Sequence, residues 1–300
     1  MAPKGTAVTV DGRALTLTNL DKVFYPETGF TKAQVIDYYA RIAPVMVPHL
    51  AGRALTFKRF PNGVDKQGFF EKNCPGHRPD WVPVSIGPGT PPPQSCRVEE
   101  PAALVWAGNQ AAIEIHAPMA LADDLMAPRM VVFDFDPGPP AAIPECAAVA
   151  LAAREVLGAV GLDGWCKTSG SKGLQLYVPV HGALTHEAAS AFALAVGQVL
   201  ERQTPDRVLT VMTRKLRDGK VFVDWSQNSF HKTTIAVYSL RARPRPTVST
   251  PVSWDEVAAA ADGEADLVFD SAAVLARVDE IGDLFAPALT TRQALPAFGA

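Results

Sequence analysis

Two aspartates one residue apart, ending an apolar run in Met130-Val-Val-Phe-Asp134-Phe-Asp136-Pro137-Gly138, can do together what neither does alone. The apolar lead-in predicts a strand, and Pro137-Gly138 predicts its end. Strand alternation puts both carboxylates on one face, about 6.5 Å apart. That span suits two carboxylates gripping a pair of divalent ions about 4 Å apart. Ligands that are all oxygen favour Mg²⁺ or Mn²⁺, and a two-ion site can activate an attacking 3′-hydroxyl while stabilising a leaving pyrophosphate. Asp224, in the apolar run Lys220-Val-Phe-Val-Asp224-Trp225, is the candidate third ligand. Two other readings stay open here. Polar residues at a strand end often only meet solvent. A DxD after an apolar run also occurs in phosphatases whose first aspartate is the nucleophile. Against the latter, Pro137 stands where those enzymes usually continue with Gly-Thr or Gly-Val, and more than a hundred residues precede the motif.

Other segments offer groups for a polyanion. Thr168-Ser169-Gly170-Ser171-Lys172-Gly173 is small, hydroxyl-rich and cationic, so its amides, hydroxyls and ammonium can cradle a triphosphate; the alternative is an ordinary tight turn. It lacks Walker spacing, and a β-rich run follows it. Arg217 and Lys220 flank a turn at Asp218-Gly219, and Arg241 and Arg243 alternate onto one face of an expected strand, offering planar forks to phosphate oxygens. Phe69-Phe70 can stack on an unpaired base or fill a core.

The elements that must position these groups read as α/β. An Asp11-Gly12 turn joins two β-rich runs into a hairpin. Thr31 with Gln34 forms a capping box for a helix whose apolar spacing is disturbed at Pro44 and Pro48. Residues 85–95 are too rich in Gly and Pro for a regular element. Helices are expected over about residues 145–160, closed by Gly161, and from the Thr185 cap to Glu201. Strands are expected at Met130–Asp136 and in the runs LQLYVPV, KVFVDW and TIAVYSL. Net charge is −3, unevenly spread. Residues 202–245 hold ten Lys or Arg against three Asp, a balance of +7, and residues 253–284 hold nine acidic residues against Arg277, a balance of −8. A phosphate-binding face can therefore coexist with an acidic whole. The four cysteines, Cys74, Cys96, Cys146 and Cys166, form no CxxC pair and are expected as free thiols; Cys74, His77 and Cys96 offer three zinc ligands without a spaced fourth. No apolar run has the length of a membrane span, and the start lacks the pattern of a secretory signal, so a cytoplasmic protein is expected.

Seven blocks in order, LTNLDKVFYPETGFTK, RFPNGVDKQGFFEKN, IEIHAP, VVFDFDPG, TSGSKGLQLYVPV, KVFVDWSQN and YSLRARP, resemble the polymerase domain of bacterial ligase D and its stand-alone relatives. These belong to the archaeo-eukaryotic primase superfamily used in non-homologous end joining. The resemblance covers nearly the whole chain. It implies an α/β (α+β) fold with a primase-like catalytic core of mixed or antiparallel sheet and flanking helices. Residues 1–300 would form one primase-polymerase domain, with a smaller N-terminal DNA-binding module over 1–110 and the core over 111–300. Asp134, Asp136 and Asp224 would hold two Mn²⁺ or Mg²⁺ ions, with His116 beside them. Ser169, Lys172, Gln175, Arg217, Arg241 and Arg243 would meet the incoming triphosphate. Lys22 and Lys32 would grip the 5′-phosphate of a gap or break, and Phe69 and Phe70 would stack on the template. The implied function is addition of ribo- or deoxyribonucleotides to DNA 3′ ends, with a separate DNA ligase and a Ku-type end-binding protein as partners. A non-catalytic end-binding module is the alternative from another class. One departure stands out, since Gln175 occupies the place of the histidine in the ligase D pattern GLHLY. Glutamine can hydrogen-bond a phosphate without carrying charge, at a cost on the order of 1–3 kcal/mol of phosphate stabilisation, so a differently tuned enzyme is expected.

Overall fold

The computed structural model describes residues 5–296. They fall into two compact units. The first takes in the described part of Met1–Pro118 together with Ile235–Ser249 and Phe269–Gly282. The second takes in Met119–Thr234, Thr250–Val268 and the described part of Asp283–Ala300. The architecture is mixed α/β, as expected.

In the first unit, strands Gly5–Val10 and Arg13–Thr18 pair antiparallel across a turn where Asp11 and Gly12 take positive φ. The Thr31 capping box opens the helix Lys32–Leu50. This helix continues through Pro44 and Pro48, where the sequence pattern had suggested disturbance. A proline inside a helix costs about 3 kcal/mol or more, so burial must outweigh it, and the apolar face continues through Met46 and Val47 between the prolines to Leu50 beyond them. Strands Ala112–Ala117, Thr56–Arg59 and Phe69–Glu71 lie side by side in that order in a four-stranded sheet, with Phe69–Glu71 at its edge. Residues 85–95 are not wholly irregular: Val84–Ile86 and Gln94–Cys96 pair as a short hairpin, leaving only its tip as loop. Cys74 and Cys96 form a disulfide, correcting the expectation of four free thiols and removing the zinc reading, while Cys146 and Cys166 are free and buried.

A second correction concerns the run TIAVYSL. Only Thr234–Ile235 is strand; the chain then turns through Tyr238 at φ 64° and makes a single bridge from Leu240 to Val248. Buried phenols hold this path. The Tyr38 hydroxyl donates to the Tyr238 carbonyl at 2.7 Å, the Tyr25 hydroxyl donates to the Arg241 carbonyl at 2.9 Å, and Ser239 Oγ accepts from Ile115 N–H. Arg241 and Arg243 therefore share no strand face: the first is half-buried and the second exposed.

The second unit is built on a six-stranded mixed sheet. Its spatial order is Val208–Leu209, Val221–Asp224, Met130–Pro137, Leu174–Pro179, Trp165–Thr168 and Pro251–Val252, with one parallel pair at the Val208 edge. Apolar side chains of Met130–Phe133 and Phe135 are buried, which makes this a central strand with half-buried carboxylates at its end. Helices Ile143–Gly158 and His186–Gln203 pack on it, Phe192 meeting Phe133 edge-on at 6.2 Å. The Asn228 side chain is fully buried and bonds both backbone groups of Val132, at 2.8 Å each, tying the turn after Asp224 to the central strand.

Candidate active site

In the second unit the two carboxylate-bearing strands lie side by side. Asp134 is directly opposite Asp224, and Asp136 is opposite Phe222. Directly opposed strand residues have Cβ atoms about 5 Å apart, so the register alone brings the acids together. Burial first, and then the neighbouring charges of Asp136 and Asp224, push the Asp134 carboxyl far above the usual carboxylate range, up to about 8, against the opposing pull of a Gln175 hydrogen bond and Lys167. Asp224 is oriented by the short helix Trp225–Asn228: Oδ1 accepts from Ser226 N–H at 3.0 Å and Ser226 Oγ at 2.6 Å, and Oδ2 accepts from Gln227 Nε2 at 2.8 Å. Each carboxylate oxygen can accept twice, which leaves Oδ2 room for one more partner. Among the described residues no group of three or more His, Cys, Asp or Glu is already arranged as a metal cage. The donor chemistry still fits a hard cation, because a carboxyl raised by crowding acidic neighbours gains most from a positive ion.

The expected phosphate loop abuts the same strand end. Ser169 Oγ accepts the amides of Ser171 at 3.3 Å and Gly173 at 3.2 Å, so the loop closes on its own hydroxyl. Gly173 is required there, since a Cβ would collide with the Phe135 carbonyl oxygen. Lys172 is exposed at the tip. Gly138 likewise leaves room for the backbone carbonyl of Arg217, so residues 214–220 pass close behind the DxD. Arg217 lies on the Phe222 ring at 3.7 Å with Nη2 donating to the Met212 carbonyl.

The first unit carries its own cluster. Glu114 and His116 alternate on one face of Ala112–Ala117, and Lys58 pairs across the strands with both Glu114 and Phe70. The buried Glu114 carboxylate meets His116 Nε2 at 3.0 Å, Arg241 Nε at 3.2 Å, Lys58 Nζ at 3.7 Å and the Ala242 amide at 3.1 Å. Burial pushes this carboxyl up, but the His116 hydrogen bond and the two cations more than reverse that and hold it at about 2. Burial lowers the His116 pKa despite Glu114, which keeps the imidazole neutral near pH 7, with Nε2–H donating to the carboxylate and Nδ1 left as the acceptor. Phe69 and Phe70 are exposed, 47% and 55%, not core. Arg59 lies over the Phe69 ring and Lys58 over the Phe70 ring, at 5.5 and 5.3 Å. Lys32 is buried, its Nζ donating to Thr18 Oγ1 at 3.3 Å, while Lys22 reaches Asn62 at 3.2 Å. Burial, then repulsion from Lys22 and Arg59, lowers Lys32 to about 8.

Sequence reasoning missed Glu114, Lys58, Arg59 and Lys167 as members of these clusters. Glu114 was legible as a carboxylate flanked by isoleucines; Lys58 and Arg59 carried no such signal. Replacing Glu114 with Gln should cost about 2–3 kcal/mol in urea unfolding at pH 7, because its cations lose their partner. Since its folded pKa is depressed, the difference between wild type and variant should be complete above pH ~4.5 and vanish as pH falls toward 2.

Residues 31–285 match the family model described as the LigD primase-polymerase domain. The chain belongs to this family. Among its relatives, the multifunctional non-homologous end joining protein LigD of Mycolicibacterium smegmatis is 46% identical over 277 residues, covering 90% of this chain and 35% of that protein. The bifunctional LigD of Bacillus subtilis is 32% identical over 244 residues, covering 81% and 39%. The chain thus spans about a third of the length of the curated LigD proteins it matches. The polymerase domain of Mycobacterium tuberculosis ligase D, solved in complex with DNA, superposes with a TM-score of 0.86 at 40% identity, covering 92% of this chain and 98% of that one.

Proposed function

We propose that this member of the LigD primase-polymerase family is a nucleotidyltransferase that adds nucleotides to DNA 3′ ends during break repair, with its metal centre at Asp134, Asp136 and Asp224. The observation that carries the reading is the direct opposition of Asp134 and Asp224 on adjacent strands beside Asp136, in a register that crowds three carboxylates together. Divalent Mn²⁺ or Mg²⁺ held there would polarise the phosphate under attack and stabilise the pyrophosphate that leaves. The protein's own part is to place and hold. The Ser169 hydroxyl and the Lys172 ammonium are the groups the loop offers to the triphosphate, and Arg217 can leave its ring contact to pair with phosphate oxygens. His116, neutral and steered by Glu114, presents Nδ1 as a hydrogen-bond acceptor to a sugar or terminal hydroxyl, and Arg241 shares the Glu114 anchor. Lys22 and Lys32 supply charge for a 5′-phosphate, and the exposed Phe69 and Phe70, backed by Arg59 and Lys58, offer rings to a base. The DNA bound to the polymerase domain of Mycobacterium tuberculosis ligase D supports the DNA half of this assignment.

The test is nucleotide addition to a 5′-phosphorylated gapped duplex with Mn²⁺, wild type against Asp136→Ala. Incorporation should fall about a thousandfold or more, since a Lewis acid at the reacting phosphate contributes several kcal/mol. Equal incorporation would remove the metal assignment. Wild-type binding of the gapped duplex with no incorporation under any nucleotide would leave the non-catalytic end-binding role.

A further inference from the structure

Four side chains stand in one row across the second unit's sheet. Lys167 is the cross-strand partner of Gln175, Gln175 of Asp134, and Asp134 of Asp224. We propose that Lys167 and Gln175 form a polar relay in which Lys167 fixes the orientation of the Gln175 amide and the amide in turn orients the Asp134 carboxylate. Lys167 is thereby a positioning residue. This rests on the metal-centre reading above, which supplies the carboxylate with a task.

The geometry leaves the amide a single orientation. Lys167 is 1% exposed, and its Nζ donates to Gln175 Oε1 at 2.6 Å. The Tyr177 hydroxyl lies 3.3 Å from the same oxygen and 2.7 Å from Thr234 Oγ1, and the Lys167 ammonium lies 5.2 Å from the Tyr177 ring centre. With Oε1 facing donors, the amide must turn its NH₂ toward Asp134, which accepts a hydrogen bond from Gln175. A flipped amide would set NH₂ against an ammonium and a carbonyl oxygen against a carboxylate, and in a buried site both contacts are repulsive. The position therefore needs a group that accepts on its lysine side and donates on its aspartate side. Glutamine meets that need, as does a neutral imidazole. Leucine does neither, and glutamate cannot donate once ionised.

A buried lysine near the acids could instead act only as a positive charge through space. The two roles predict opposite signs. A bare charge repels a bound cation, so its removal would tighten metal binding; loss of the relay frees the carboxylate and weakens it. The experiment measures Mn²⁺ binding, from the electron paramagnetic resonance signal of the free ion, in the full chain without DNA or nucleotide. Lys167→Met and Gln175→Leu should each raise the Mn²⁺ dissociation constant about tenfold, as is usual for partners that orient metal ligands. The double variant should be no worse than either single, and Gln175→His should stay within about threefold of wild type. Tighter binding by Lys167→Met, additive losses in the double variant, or a Gln175→His as weak as Gln175→Leu would each overturn the relay. A metal-free arm keeps it separable from the metal assignment. In thermal unfolding of the apo chain, the double variant's loss of melting temperature should be clearly smaller than the sum of the two single losses, because residues in one network couple. Wild type and Asp134→Asn binding Mn²⁺ alike would count against the metal centre, and the apo cycle would still decide the relay.

Discussion

Asp134→Asn should produce a protein that is harder to unfold and unable to add nucleotides. In the apo chain the half-buried Asp134 carboxyl stands beside two other acids, and burial together with their charges raises it to about 8. A folded-state pKa above the unfolded value means that the folded chain binds the extra proton between pH ~4 and ~8, so this group takes stability away as pH rises through that window. Even one unit of such a shift is worth about 1.4 kcal/mol. The asparagine keeps the shape and removes the charge. It should therefore raise the apo melting temperature by several degrees at pH 8 and by little at pH 4. Mn²⁺ should stabilise the wild type and leave the variant nearly unmoved, while nucleotide addition by the variant should fall by a thousandfold or more. A variant no more stable than wild type at pH 8 would show that these acids do not strain the folded chain.

The 5′-phosphate should be recognised in a way that fades at unusually low alkalinity. Lys32 is buried within reach of the repulsion of Lys22 and Arg59, which with burial brings its pKa down to about 8. The folded chain thus binds fewer protons than the unfolded one between pH ~8 and ~10.5, and stability from this group rises with pH across that range. An arriving phosphate dianion reverses the balance by favouring the ammonium. The preference for 5′-phosphorylated over 5′-hydroxyl gapped DNA, expected to be about a hundredfold near pH 7 from two charge-assisted contacts, should shrink as pH passes 8 to 9. An ordinary lysine would hold it to pH 10. Lys32→Met should abolish most of the preference while raising apo stability, and should lower the salt dependence of binding by about one phosphate contact. A preference that persists unchanged to pH 9.5, or in Lys32→Met, would place phosphate recognition elsewhere.

Much of this arrangement was legible beforehand, for physical reasons. The hairpin at Asp11-Gly12, the Thr31 and Thr185 caps, and the apolar strand ending in Asp134 and Asp136 are local signals, each set by a few neighbouring residues. What stayed hidden depends on partners distant in sequence. Nothing near Tyr238 shows that phenols about two hundred residues earlier hold the chain in a turn, so Arg241 and Arg243 read as strand residues when they are not. Nothing near Pro44 shows that the helix face beneath it is buried enough to run on. The Cys74–Cys96 disulfide was missed because the Gly- and Pro-rich stretch between them conceals the hairpin that brings the two thiols together. Lys167 drew no attention because a lysine beside a threonine gives no local sign of facing a buried amide.

The first unit's dependence on Ile235–Ser249 and Phe269–Gly282 bears on how the protein can be cut. A fragment stopping at residue 118 would keep the Glu114–His116 strand yet lose Ser239, the acceptor for the Ile115 amide, and the carbonyls that receive the Tyr25 and Tyr38 hydroxyls. Three buried donors would be stranded, and Glu114 would lose its arginine. The early residues are therefore not a detachable cassette: a ribosome must finish most of the chain before they can settle, and shuffling them onto another polymerase core would have to carry the two late segments along.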